Sequence, residues 1–243
     1  MTHLYCLHGV GGDGQSFANM VAQLPPQWHT HCWNFPGYAG TPALLDWSWD
    51  KLAERLHQDI LANTNAPVVL LGHSIGGMLA QWYARCYPNS VQALILCATS
   101  PAFGRNDGDF QKRFIQQRLA PLDQGLSLAS LAPGMVEELA HPSATAATRK
   151  QAIQCMEKVP EATYRQAMQC ITTFDMRPYL PRLSMPKLLI AGDQDSNAPS
   201  AMMQRFADKL PAPCTFIELA QCGHLLPIEQ PQTLSQAVVD FLG

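Results

Sequence analysis

The stretch Val68-Val69-Leu70-Leu71-Gly72-His73-Ser74-Ile75-Gly76-Gly77 decides how the rest of this chain is read. Four consecutive apolar residues predict a short strand buried on both faces. The run stops at Gly72, and beyond Gly77 the residues Met78, Leu79, Trp82 and Tyr83 form a helical stripe that ends near Pro88. A serine is thereby set on the tight turn between a buried strand and a helix. Such a turn demands strained backbone angles, so its neighbours must be small, and Gly72 and Gly76 supply the room. Ser74 is pushed outward at the helix N-terminus, where the helix dipole and free N–H groups favour a developing negative charge.

Working outward, the same pattern repeats. Leu4–Leu7, His31–Phe35, Leu94–Ala98, Lys187–Ala191 and Thr215–Leu219 are further short apolar runs, each followed by turn residues. Between them lie helical patterns: Leu52, Leu56 and Ile60 after a candidate cap at Ser48, and Leu234, Val238, Phe241 and Leu242 at the C-terminus. Strands alternating with helices of this length predict an α/β fold with a mostly parallel sheet of about six strands. Residues 101–180 break the rhythm, with helical patterns (Phe110, Phe114 and Leu119; Ile153 and Met156; Tyr164, Met168 and Ile171) and no strand. A segment that long is no simple connection. It is expected to form a helical cap inserted in a core made of residues 1–100 and 181–243.

Composition narrows the function classes. The chain has 243 residues, 47% of them hydrophobic and only 14% charged, with a net charge of -3. That is ample material for a buried core and carries no pull toward polyanions, so nucleic acid is not an expected partner. No apolar run approaches the length of a membrane span, and Met1–Gly9 lacks the basic start of a signal peptide. Eight cysteines are scattered without C-x-x-C or zinc spacing, and Cys6, Cys97 and Cys170 sit inside apolar segments. Reduced, buried thiols in a cytoplasmic protein are the expectation, with no metal and no cofactor.

A serine hydroxyl needs a base to become a nucleophile. Among eight histidines, His224 has the best setting, in Cys222-Gly223-His224 between the last strand and the C-terminal helix. His73 adjoins the serine, but its side chain should leave the turn in another direction. The base needs an orienting carboxylate, and Gly192-Asp193-Gln194-Asp195 follows a strand at the sheet edge where sites in parallel sheets are built. Asp195 is preferred because the longer loop lets it turn back toward His224, and Asp193 is the alternative, better suited to stabilising the turn. The order Ser, Asp, His is a known one for such a triad. The loop His8-Gly9-Val10-Gly11-Gly12-Asp13-Gly14 leaves N–H groups free, and those of Val10 and Ile75 are the candidates to hold an oxyanion.

With these residues in hand, the sequence resembles the α/β-hydrolase superfamily over nearly its whole length outside the cap. The marks are His8-Gly9 after a strand, Phe35-Pro36-Gly37-Tyr38-Ala39-Gly40, the serine turn, Gly192-Asp193-Gln194-Asp195, and Gly223-His224 followed by Glu229-Gln230-Pro231. Asn34 stands where that family often has Asp, a departure expected to affect loop packing more than catalysis. The stretch Phe174–Leu180, leading into Met185-Pro186, is similar to that of small carboxylesterases and enol-lactonases of the 3-oxoadipate enol-lactone hydrolase type. Members of the superfamily usually begin with two antiparallel strands, missing here, which leaves one sheet edge bare.

The resemblance implies a cofactor-free serine hydrolase that cleaves a small carboxylic ester or lactone through an acyl-enzyme on Ser74, as a monomer or homodimer. A C–C bond hydrolase or a perhydrolase would use the same triad, and a sensor that keeps the fold without turnover is a rival from another class. The cap should choose the substrate, with Phe103, Phe110, Phe114, Met135, Met156 and Met168 as an apolar lining. Arg105 and Arg113 could meet a substrate carboxylate, although a plain solvent-facing role is preferred for both.

Overall fold

Strand β3 (Val68–His73) is buried along its whole length because it lies inside a parallel sheet. Its neighbours are β1 (His3–Leu7) and β4 (Val91–Cys97), with β2 (His29–Trp33), β5 (Lys187–Gly192) and β6 (Cys214–Leu219) completing six strands in the order β2-β1-β3-β4-β5-β6. Every pairing is parallel. The computed structural model describes residues 2–104 and 108–243.

Side chains alternate across the sheet, so the two faces feed separate cores. Tyr5, Leu7, Leu70, Leu94 and Leu96 pack on one face against helices α2 (Trp49–Leu61) and α3 (Ile75–Cys86), while Leu4, Cys6, Leu71 and Ile95 pack on the other. That second face is covered by α1 (Ala18–Val21) and by α10 (Pro231–Leu242), through Met20, Leu234 and Val238. A sheet with helices on both faces must bury both of its sides, which is why its strands are continuous apolar runs.

Four helices, α4 (Asp109–Asp123), α5 (Leu128–Leu139), α6 (Ala146–Met156) and α7 (Glu161–Ile171), lie between β4 and β5. An antiparallel bridge between Ala102 and Asp175 closes the two ends of this segment. Of these helices, α5 is the one whose pattern is hardest to read, because Pro133 and Gly134 interrupt it. Beyond β5 come α8 (Ser200–Ala207) and the single turn α9 (Leu226–Glu229).

Strand β2 starts and ends two residues earlier than its apolar pattern suggests. The ladder stops at Trp33, and the Phe35 N–H leaves the sheet to donate to Nε2 of His8 at 3.2 Å. Across the β1–β2 pair the facing side chains stack, His29 on His3 at 4.9 Å and His31 on Tyr5 at 4.4 Å between ring centres.

Candidate active site

Ser74 is the residue between β3 and α3, and its backbone sits at φ 54° and ψ -118°. That left-handed angle is costly for a residue with a Cβ, so the surroundings must hold it. Its N–H donates to the Cys97 carbonyl at 2.9 Å, and its carbonyl accepts from the Thr99 hydroxyl at 2.8 Å. The turn is tight enough that a Cβ on Gly72 would lie 2.3 Å from the Gly76 carbonyl oxygen, and one on Gly76 would lie 2.1 Å from that of Leu7. Both obstacles are backbone, so glycine is required at both positions.

Three side chains from three separate loops meet at the C-terminal rim of the sheet. Nε2 of His224 lies 3.1 Å from Oγ of Ser74, and its Nδ1 lies 2.8 Å from Oδ2 of Asp195. A carboxylate only accepts, so Nδ1 carries the proton and Nε2 is left to accept from the serine hydroxyl. The other oxygen of Asp195 accepts from the N–H groups of Asn197 at 2.8 Å and Ala198 at 2.9 Å. Burial opposes ionisation of Asp195, but the attraction of His224 and these hydrogen bonds outweigh it and hold the carboxyl below its ordinary range. Asp193 faces elsewhere. Its carboxylate accepts from the N–H groups of Gln221 and Cys222, both at 3.0 Å, and braces the loop that carries His224.

That loop is held on every side. Glu229 accepts three backbone N–H groups, from Gly223 at 3.1 Å, Leu225 at 2.8 Å and His141 at 2.7 Å. The His224 N–H donates to the Leu139 carbonyl at 2.8 Å, which ties the loop to the end of α5. Glu229 was visible in the sequence only as a family mark; its bracing role depends on a fold-back that spacing does not report.

The loop after β1 is organised by His8. Since Nε2 of His8 accepts from Phe35, Nδ1 carries the proton and donates to the Gly9 carbonyl at 2.7 Å. Burial pushes this imidazole down to about 4, so it stays neutral. The Gly12 N–H donates to the same carbonyl at 3.0 Å. In a planar trans peptide the N–H points opposite to the C=O, so pinning the Gly9 carbonyl aims the Val10 N–H the other way. The Val10 carbonyl accepts from the Tyr38 hydroxyl at 2.8 Å, and Asn34 Oδ1 accepts from the Gly14 N–H at 2.7 Å. Among the described residues neither Val10 nor Ile75 donates its N–H to the backbone.

Between the sheet rim and the inserted helices is a cavity of about 440 Å³ whose wall includes Ser74, His224 and Val10. Phe103, Phe110, Phe114, Met135, Met156 and Met168 all line it. Ile75 is buried behind the wall, and Arg113 is exposed and takes no part in it. Arg105 lies outside the described residues. Asp175 and Arg177 pair with each other at 2.6 Å at the base of the inserted segment, away from the cavity wall. Among the described residues no group of three or more His, Cys, Asp or Glu side chains is placed to hold a metal ion, and no helix is long and apolar enough to cross a membrane.

Comparison with known proteins gives consistent relatives. The family described as alpha/beta hydrolase fold matches residues 2–231. The chain is 25% identical over 244 residues to a pimeloyl-[acyl-carrier protein] methyl ester esterase of Vibrio vulnificus, covering 99% of this chain and 94% of that protein. It is also 25% identical to a monoacylglycerol lipase of Homo sapiens, covering 97% of this chain and 74% of that one. Among solved structures, an esterase from Thermogutta terrifontis superimposes with a TM-score of 0.87 at 23% identity, over 100% of this chain and 89% of that one. The enol-lactonase from Burkholderia xenovorans does so with a TM-score of 0.83 at 21% identity, over 99% and 91% of the two chains. At these identities the structural likeness speaks for the fold alone.

Proposed function

The chain belongs to the alpha/beta hydrolase fold family and is a hydrolase of ester bonds, and from that premise we propose that it cleaves a small carboxylic ester or lactone through an acyl-enzyme on Ser74. Ser74 Oγ attacks the carbonyl carbon while its proton passes to Nε2 of His224. Asp195 keeps the His224 ring in the reactive tautomer and stabilises the imidazolium that forms. The N–H groups of Val10 and Ile75 receive the oxyanion, and His224 returns the proton to the departing alkoxide. Water then attacks the acyl-enzyme by the same route, with His224 again as base, and releases the acid.

The observation that carries this reading is the continuous relay from Ser74 through His224 to Asp195, at 3.1 and 2.8 Å, opening on an apolar cavity. A binding protein would have no use for a strained serine, a base and a buried carboxylate in line. The inserted helices, residues 101–180, act in this reading as the cap that selects acyl or aromatic groups. Eight free cysteines, five of them buried, agree with a cytoplasmic setting.

Ser74→Ala tests the proposal. Turnover of a short p-nitrophenyl ester should fall by at least about 10⁴-fold, and labelling by a fluorophosphonate should vanish. The melting temperature should stay within about 3 °C, since the one hydrogen bond lost, that of Oγ to His224, opens on the cavity. Undiminished turnover in this variant would remove Ser74 as the nucleophile.

A further inference from the structure

Among the described residues the cavity wall carries one fixed charge. Among the described lining residues there is no Asp, Glu or Lys, and Arg118 is the sole arginine. Helix α4 presents Phe110, Phe114 and Arg118 to the cavity at four-residue spacing, so the guanidinium closes a row of apolar side chains. It lies 5.8 Å from the centre of the Phe114 ring. Its ion pair with Glu138 is long, at 3.7 Å, and the Glu138 side chain is 69% exposed. A solvated partner at that distance satisfies an arginine poorly, and among the described residues Arg118 donates no hydrogen bond.

Tyr164, on α7, lines the same cavity. Burial pushes its phenol up, and the charge of Arg118 offsets part of that rise. Ser74 stands at the sheet end of the cavity, whereas Arg118 and Tyr164 belong to the helical end. A ligand that reaches both must cross an apolar stretch.

Resting on the reading of Ser74 as nucleophile, we propose that Arg118 receives a carboxylate at the far end of the substrate, so that the preferred esters carry a terminal carboxylate across an apolar linker. A planar guanidinium matches a carboxylate with two parallel hydrogen bonds. A single cation balances one negative charge, which suits a carboxylate better than a dianionic phosphate.

The test compares esters of equal chain length that differ only at the far end: monomethyl adipate against methyl hexanoate, and monomethyl suberate against methyl octanoate. The quantity read is the ratio of kcat/KM for the carboxylate-ended ester to that for the methyl-ended one. Arg118→Gln should lower the ratio about 10- to 100-fold, the range for hydrogen bonds to a charged group. Arg118→Lys, which keeps the charge without the fork, should recover part of it. Glu138→Gln breaks the same ion pair but frees the guanidinium, so it should raise the ratio.

An unchanged ratio in Arg118→Gln overturns the proposal. So does a parallel fall in both variants, because that is the signature of an ion pair that only holds helices α4 and α5 together. Wild-type protein that is labelled at Ser74 yet cleaves none of these esters overturns this proposal alone. Protein that resists labelling would remove the nucleophile reading beneath it.

Discussion

His73 donates its Nε2–H to the backbone carbonyl of His224 at 2.6 Å, so the residue before Ser74 holds the main chain of His224. A carbonyl can only accept, which leaves His73 protonated at Nε2 and neutral. Burial above all, then the neighbouring His224, pushes it down to about 3.

This has a consequence for stability in acid. His73 and His8, the latter at about 4, refuse protons in the folded state that an unfolded imidazole accepts near 6.5. Their folded values are depressed, so the stability they contribute is present in full above about pH 6.5 and is lost as pH falls toward 4 and then 3. The urea midpoint should drop steeply between pH 6.5 and 4.5, with a slope of at least about two protons taken up on unfolding, since burial also lowers His3 and His31. His73→Gln keeps a donor for the His224 carbonyl and should remove about one of them. A slope equal to that of the wild type would show that another group is responsible.

The two acids after β5 should separate cleanly. Asp195→Asn presents an amide to Nδ1 of His224 and spoils the tautomer, so kcat should fall by about 10⁴-fold. Asp193→Asn can no longer accept from both Gln221 and Cys222 as a charged group, and should cost about 1 kcal/mol in urea unfolding while kcat stays within tenfold. Steady-state kinetics and denaturation on both variants check this. Reversed behaviour would make Asp193 the partner of His224 in solution.

Glycines at two positions should respond in opposite directions. Gly76→Ala drives a methyl group to 2.1 Å from the Leu7 carbonyl oxygen, and the obstacle is strand backbone that cannot yield. It should destabilise the protein by at least about 4 kcal/mol or prevent folding. Gly134, inside α5, has nothing within 4 Å of the place a Cβ would take. Gly134→Ala should raise stability by about 0.5–1 kcal/mol. Thermal melts of the pair decide it.

Much of the fold is legible along the chain because a doubly covered parallel sheet writes itself as short apolar runs. All six runs are strands, and the error in β2 arose where Phe35 left the ladder for a side-chain acceptor, His8. Helix α5 is obscured by Pro133 and Gly134, which local propensity penalises and which tertiary packing of Leu128, Ala132 and Val136 overrides. The serine turn, His224, Asp195 and the six apolar lining residues were likewise readable, since each sits beside a strand end or on a helical stripe. Arg118 carries no mark in the sequence and Glu229 only that of the family resemblance, because an arginine on a helix and a glutamate near the C-terminus look alike whether they face solvent, a cavity or a loop.

What the order of residues determined alone was local: where strands stop, where glycine must stand, and which polar residues fall at those stops. Which carbonyl His73 grips, and that Arg118 rather than Arg113 reaches the cavity, were decided only when distant segments packed. The physical reason is range. Backbone sterics and apolar periodicity act over a few neighbours, whereas a hydrogen bond across 150 positions, such as that from Ser74 to His224, exists only after the sheet has brought its loops to one rim.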